Sequence, residues 1–180
     1  MSAWPSLPSP TQLTNDKSRS FAGQTVSKQM SVLTPATVIL QGRAADKADA
    51  IVQAGKVLVK AGHVAPSYVS GMLAREEAVS TYLGNGIAIP HGEKDDLRWV
   101  YRTGVSVLQL PAGVEWEAGE RAYLIVGLAA TPTSDQHIAV LTNLLEVLQD
   151  PTAVTLLVHT SDPMVIVERL TRSRRESVWS

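Results

Sequence analysis

The pattern of apolar and polar residues divides the chain into an irregular beginning and a regular remainder. Residues 1–30 contain three prolines and isolated apolar residues that repeat with a period of neither 2 nor 3.6. Such a segment buries too little apolar area to offset the roughly 1–2 kcal/mol of backbone entropy that each ordered residue loses. The pattern therefore predicts a flexible N-terminal tail over residues 1–30 and a folded domain after it.

Apolar residues then recur at the 3.6-residue spacing of amphipathic helices. The first predicted helix is capped by Asp46 and ends at Gly62. The second begins at Pro66, a favoured first helical residue, and ends between residues 75 and 79. Its predicted buried stripe consists of Val69, Met72 and Leu73. Later helices are predicted from the cap Ser134, over residues 153–158 behind Asp150-Pro151, and over residues 164–170. The run 153–158 also fits a strand, but the cap and proline before it favour a helix.

Short apolar runs bounded by turn residues predict strands between these helices. The runs are Val38 to Leu40, Ile87 to Ile89, Val105 to Leu110 and Tyr123 to Ala130. Turns are predicted at Leu83-Gly84-Asn85-Gly86 and at Pro111-Ala112-Gly113. Because strands alternate with helices, the predicted fold class is α/β: a single domain with a mixed, mostly parallel central sheet flanked by helices on both faces.

Composition narrows the chemistry that such a domain can perform. The 180 residues include no cysteine, which excludes disulfides, a cysteine nucleophile and thiolate metal sites. Sixteen Lys and Arg residues nearly balance 17 Asp and Glu residues. The net charge of −1 therefore does not favour nucleic acid or an anionic membrane as a partner. No apolar stretch of transmembrane length and no signal peptide is present, which predicts a cytoplasmic protein with no membrane insertion.

Common catalytic motifs are absent from the chain. Gly84 and Gly86 begin a GxGxxG pattern, but Ile89 stands where its third glycine would be. The motifs HExxH, GxSxG and GxxxxGK[ST] do not occur, so zincin, serine hydrolase and Walker-type chemistry lack their usual residues. The acidic residues Glu93, Asp95 and Asp96 are typical of a solvated loop. We therefore predict no metal and no cofactor.

Three residues stand out as candidates for chemistry. His91 follows a predicted strand end, between Pro90 and Gly92, where ligands of α/β proteins bind. His137 would be the third residue of its helix, where free N–H groups and the helix dipole attract an anion, although it also fits a position beside the apolar stripe. Arg75 complements the C-terminal dipole of its helix, and its forked guanidinium equally suits a phosphoryl group.

The segment from Arg75 to Gly92, REEAVSTYLGNGIAIPHG, closely resembles the mannitol/fructose-type EIIA domain of the bacterial phosphoenolpyruvate:sugar phosphotransferase system. The likeness includes Asp135-Gln136-His137-Ile138 and extends over roughly residues 32 to 172. It places the domain at residues 31–172 and leaves residues 173–180 as a C-terminal tail.

The resemblance implies an enzyme, a phosphotransferase component whose His91 takes a phosphoryl group from phospho-HPr and passes it to a cysteine of an EIIB domain. It places His137 at the family's second active-site histidine and Arg75 at its arginine. With these two residues, the hydroxyl of Thr81 is expected to stabilise the phosphoryl oxygens. Neutral imidazole is a competent nucleophile, and phosphoryl transfer requires chiefly positioning and charge stabilisation.

The sequence is compatible with two functions. The leading one is a phosphocarrier for uptake of mannitol, fructose or a similar sugar, and since the chain has no cysteine, its EIIB acceptor is expected on a separate polypeptide. The alternative is a regulatory module of the nitrogen-type branch, which binds target proteins according to its phosphorylation state. HPr and EIIB are expected to bind in turn to an apolar rim opened by glycines, which consists of Ile87, Ile89, Gly84, Gly86 and Gly92.

Overall fold

The computed structural model describes residues 31–131, 142 and 144–171, which belong to one compact unit, Ser31–Ser180. The strands within these ranges are β1 (Val38–Ile39), β2 (Tyr82–Gly84), β3 (Ile87–Ala88), β4 (Gly104–Glu117) and β5 (Glu120–Ala129). The α-helices are α1 (Lys47–Lys60), α2 (Tyr68–Ala78), the helical residues 144–148 (α3), α4 (Pro151–His159) and α5 (Pro163–Thr171), and two 3-10 helices span Pro35–Thr37 and Lys94–Trp99. The two predicted tails and the helix start predicted at Ser134 lie outside the described residues.

The strands form one five-stranded sheet in the order β1-β4-β5-β3-β2. The pairs β1–β4 and β3–β5 are parallel, whereas β4–β5 and β2–β3 are antiparallel. The mixed α/β class is therefore confirmed, but parallel pairs do not predominate. The reason is that two-residue connections join each antiparallel pair, and a connection this short forces a hairpin. In the β2–β3 hairpin, Asn85 and Gly86 both adopt positive φ, 53° and 76°, as a tight hairpin turn with the twist of its strands requires.

Helices cover both faces of the sheet, as predicted. Side chains alternate along the central strands: in β5, Ile125 joins the core beneath α1 and α2, whereas Leu124 and Val126 join the core beneath α3, α4 and α5. A central strand that is covered on both faces has to be apolar on both, which explains the nearly continuous apolar run of β5.

The predicted helices that lie within the described residues are confirmed, with shifts at their ends. The Asp46 carboxylate caps α1 by accepting a hydrogen bond from the Asp49 N–H at 2.8 Å. Helix α2 begins at Tyr68 rather than Pro66, because the turn before it closes through i to i−3 hydrogen bonds. Its fully buried residues are Tyr68, Gly71, Met72 and Glu76, so the buried face is rotated from the predicted stripe. Helix α4 is confirmed as a helix rather than a strand.

The turn predicted at Pro111-Ala112-Gly113 is wrong. Strand β4 continues through these residues, and its pairing with β5 shifts register between Gln109 and Val114, as in a bulge. Gly113 absorbs the irregularity with a φ of 63°. The guanidinium of Arg121 on β5 donates to the carbonyls of Ala112 and Gly113, at 3.0 and 2.8 Å, and so keeps the bulged segment on the sheet.

Of the helices in the described ranges, none is both long and apolar enough to cross a lipid bilayer.

His63, in the connection between α1 and α2, is a buried titratable residue. The residue is only 3% exposed, and its Nδ1 has no hydrogen-bond partner among the described residues. Burial lowers the pKa of His63 below 6.5, and the nearby positive charge of Arg102 lowers it further. His63 is therefore held in its neutral form.

We expect His63 to make the domain less stable in acid. The unfolded chain binds a proton near pH 6.5 and the folded chain only at lower pH, so the free energy of unfolding falls as the pH drops through 6.5 and levels off below the folded pKa. Urea unfolding of the wild type and His63→Gln between about pH 8 and pH 5 measures this loss of stability. The loss is about 1.4 kcal/mol for each pH unit that separates the folded pKa of His63 from the unfolded one. The exposed His159→Gln serves as control, and equal pH slopes in all three proteins would contradict the prediction.

Candidate active site

His91 lies at the carboxyl ends of two parallel strands. It follows β3 directly after Ile89 and Pro90, and it pairs in a parallel bridge with Leu128 near the end of β5. The Leu128 N–H donates to the Pro90 carbonyl at 3.0 Å. The residue is half-buried, so its ring is supported by the sheet and still reachable from solvent. The predicted placement of His91 at a strand end is confirmed.

A local hydrogen bond fixes the tautomer of His91. Its Nδ1 is 2.8 Å from the carbonyl oxygen of Ile89. Since a carbonyl oxygen can only accept, Nδ1 carries the proton of the neutral ring. This leaves Nε2 with a free lone pair and therefore as the nucleophilic nitrogen.

Tyr68 of α2 holds the residue after His91 in place. Its buried hydroxyl donates to the Leu128 carbonyl at 2.8 Å and accepts from the Gly92 N–H at 2.9 Å. Burial raises the pKa of Tyr68, which keeps the hydroxyl protonated as this arrangement requires. A Cβ atom on Gly92 would lie 2.7 Å from the Tyr68 ring, so glycine is needed here. Tyr68 thus ties the loop behind His91 to the end of β5.

Arg75 lies in the last turn of α2, beside the loop that follows His91. Its Nη1 donates to the Val79 carbonyl at 2.5 Å, and its Nε is 3.9 Å from Glu93 Oε1. The Glu93 side chain is 59% exposed, so solvent screens this ion pair. A guanidinium has five N–H donors, and its contacts with the described residues leave several of them for an anion.

The burial and contacts of Thr81 argue against the role predicted for it. The residue is buried, and its hydroxyl donates its single proton to the Glu76 carboxylate at 2.5 Å. A phosphoryl group approaching from solvent would find neither an accessible hydroxyl nor a free proton there. The backbone of Thr81 instead contacts the segment before His91, since its carbonyl accepts the Ile89 N–H at 3.0 Å.

The expected apolar rim is wrong for its two isoleucines. Ile87 and Ile89 are 1% and 6% exposed, because both side chains belong to the core beneath α3, α4 and α5. The exposed apolar side chains on this part of the chain are Val79 and Leu83, which follow Arg75. His137 lies outside the described residues, so its predicted position beside His91 stays a prediction.

Sequence reasoning missed the carboxylate of Glu76, which is buried beside this site. Its side chain is 2% exposed and receives hydrogen bonds from Trp116 Nε1 at 2.8 Å and from the Thr81 N–H at 2.8 Å, while Lys47 Nζ lies 3.1 Å away. The signal in the sequence is an acidic residue four positions after Met72 and eight after Tyr68, which puts it on the buried face of α2. Among the described residues, no group of histidine and acidic side chains could hold a metal ion.

Comparison with known proteins gives the family. The family model for "Phosphoenolpyruvate-dependent sugar phosphotransferase system, EIIA 2" matches residues 31–173. A multiphosphoryl transfer protein of Xanthomonas campestris pv. campestris is 48% identical over 148 residues, which cover 82% of this chain. The chain spans only 17% of the length of that relative.

Solved structures agree in fold and sequence. The crystal structure of IIA mannitol from Escherichia coli matches with a TM-score of 0.68 and 40% identity, covering 77% of this chain and 98% of that one. A chain in the complex of enzyme IIAMTL and phosphorylated enzyme IIBMTL from Escherichia coli matches with a TM-score of 0.68 and 39% identity, covering 77% and 96%. The chain belongs to the EIIA 2 family of the phosphoenolpyruvate-dependent sugar phosphotransferase system. It is therefore a phosphotransferase component, and the resemblance found in its sequence is confirmed.

Proposed function

We propose that this chain carries a phosphoryl group on His91, from phospho-HPr to a cysteine of an EIIB domain. The observation that carries the proposal is the Nδ1–H of His91 donating to the Ile89 carbonyl, which leaves the Nε2 lone pair for phosphorus. The half-buried ring at the carboxyl edge of β3 and β5 is placed where α/β proteins bind their ligands.

The proposed transfer consists of two successive displacements at phosphorus. In the first, Nε2 of His91 attacks phosphorus, and the bond from phosphorus to the HPr group breaks with its electron pair leaving on HPr. In the second, the thiolate of the EIIB cysteine attacks phosphorus, and the electron pair of the N–P bond returns to Nε2. The acceptor cysteine lies outside these 180 residues.

In this proposal the protein contributes position and charge. The Ile89 carbonyl stabilises the positive charge that develops on the imidazole when Nε2 forms its bond, since Nδ1 keeps its proton throughout. Arg75 supplies a forked cation to the phosphoryl oxygens, and His137 is proposed to assist it. These two effects are the main sources of catalysis in phosphoryl transfer.

A similar solved structure supports the proposed substrate. Because the mannitol enzyme IIA of Escherichia coli shares this fold at 40% identity, we propose uptake of mannitol, fructose or a similar sugar. HPr and EIIB both have to reach His91, so they use overlapping surfaces in turn, with Val79 and Leu83 as apolar contacts. A carrier has to release each partner quickly, which favours an interface below about 1,200 Å².

Reconstitution tests this function. The protein is incubated with radiolabelled phosphoenolpyruvate, enzyme I and HPr, and then with a mannitol-type or fructose-type EIIB and the matching membrane component. We expect label to appear on this chain, move to EIIB and end on the sugar. Label that stays on the chain with every EIIB offered would favour the regulatory alternative, and no label at all would refute the proposal.

A further inference from the structure

Glu76 is a buried residue, and both oxygens of its carboxylate accept hydrogen bonds. Taking an ionised carboxylate out of water is costly unless hydrogen bonds and opposite charge replace its hydration. Its Oε1 faces Trp116 Nε1 and Lys47 Nζ, and its Oε2 accepts from both the amide and the hydroxyl of Thr81. The network thus joins α1, α2, β4 and the segment that enters β2.

One branch of this network leads to His91. Two hydrogen bonds to the same oxygen of Glu76 fix Thr81, and the Thr81 carbonyl accepts the Ile89 N–H at 3.0 Å. Ile89 then offers its own carbonyl to His91 Nδ1 at 2.8 Å. Pro90 follows, whose ring restricts rotation between the two residues. A chain of hydrogen bonds therefore links the carbonyl that contacts His91 Nδ1, through Thr81, to the carboxylate of Glu76.

We propose that Glu76 is a positioning residue for His91: through Thr81 and Ile89 it holds the carbonyl that keeps the proton on Nδ1 and leaves Nε2 as nucleophile. The kinetic consequence rests on the proposed function, whereas the tautomer itself does not. Glu76 touches no reacting atom, and the Trp116 and Lys47 contacts serve to keep its charge in place.

Imidazole NMR tests the proposal without any phosphoryl transfer. Two-bond proton–nitrogen correlation spectra of the ¹⁵N-labelled protein show which ring nitrogen of His91 carries the proton in the neutral form. We expect Nδ1–H in the wild type and in Thr81→Ser, which keeps the hydroxyl. In Glu76→Gln and Thr81→Val we expect a measurable fraction of Nε2–H, because the Ile89 carbonyl is no longer held in register. Glu77→Gln, an exposed neighbour of the same charge, is the matched control.

Kinetics in the reconstituted system give the second readout. Misplacing a nucleophile slightly can cost up to about 100-fold in rate, so we expect Glu76→Gln to lower kcat about 10-fold or more and to leave KM for phospho-HPr nearly unchanged. Trp116→Phe removes a donor from Glu76 without touching Thr81, and we expect it to lower the melting temperature with no change of tautomer.

The outcomes separate this inference from the proposed function. A folded Glu76→Gln and Thr81→Val with the wild-type tautomer would overturn it, whatever the rates show. If Glu76→Gln does not fold, the comparison of Thr81→Val with Thr81→Ser decides alone. A changed tautomer in a protein that accepts no phosphoryl group would support the positioning role and refute the proposed function.

Discussion

Replacing His91 with alanine is expected to abolish phosphorylation of this protein. No other described side chain combines a strand-end position with a fixed tautomer that exposes Nε2 as nucleophile. After incubation with labelled phosphoenolpyruvate, enzyme I and HPr, the wild type should carry acid-labile, base-stable phosphate. His91→Ala should show label at background level, while its melting temperature stays close to that of the wild type because the ring is half-buried.

His159 provides a matched control for that experiment. Its Nδ1 is also 2.8 Å from a backbone carbonyl, that of Thr155, but the residue is exposed near the end of α4. The two histidines thus share a contact between Nδ1 and a backbone carbonyl but differ in their surroundings. We expect His159→Ala to be labelled as well as the wild type. Undiminished labelling of His91→Ala, or loss of label in His159→Ala, would show that the nucleophile is wrongly assigned.

Local signals in the sequence were sufficient for most of the fold. Caps, prolines and apolar periodicity identify α1, α4 and α5, and the long apolar run identifies β5 as a central strand. The failure at Pro111-Ala112-Gly113 has a non-local cause. Turn residues in the sequence do not reveal whether a chain reverses or bulges, and here hydrogen bonds from Arg121 on the neighbouring strand keep β4 continuous.

The site was predictable where a residue's role depends on its own segment. His91 was found because a strand end and its flanking Pro90 and Gly92 are visible in the sequence. The hydrogen bond from Thr81 to Glu76 is not visible in the sequence, because it forms only when α2 packs against the sheet. Tyr68 was missed for the same reason, since its contacts with Leu128 and Gly92 join segments far apart in the chain.

Replacing Arg75 is expected to slow phosphoryl transfer strongly and leave the fold intact. An electrostatic donor that acts mainly in the transition state is worth about 100-fold to 1,000-fold in kcat, or about 2.7–4 kcal/mol. We therefore expect Arg75→Ala to lose that much in single-turnover transfer from phospho-HPr. Arg75→Lys keeps the positive charge but lacks the forked guanidinium, so its transfer rate should lie between those of the wild type and Arg75→Ala. The lost hydrogen bond to Val79 costs about 1 kcal/mol of stability, which corresponds to a few degrees in melting temperature.

Arg98→Ala separates this local role from a general effect of charge. Arg98 is exposed in the short 3-10 helix Lys94–Trp99 that follows His91, and its guanidinium lies 5.3 Å from the centre of the Trp99 ring. Its removal changes the net charge by the same amount. If Arg75 only attracted a negatively charged donor to the surface, both variants would slow transfer similarly, and added salt would abolish the difference from wild type. Contact with the phosphoryl oxygens instead predicts that Arg98→Ala transfers at nearly the wild-type rate and that the deficit of Arg75→Ala persists at high salt.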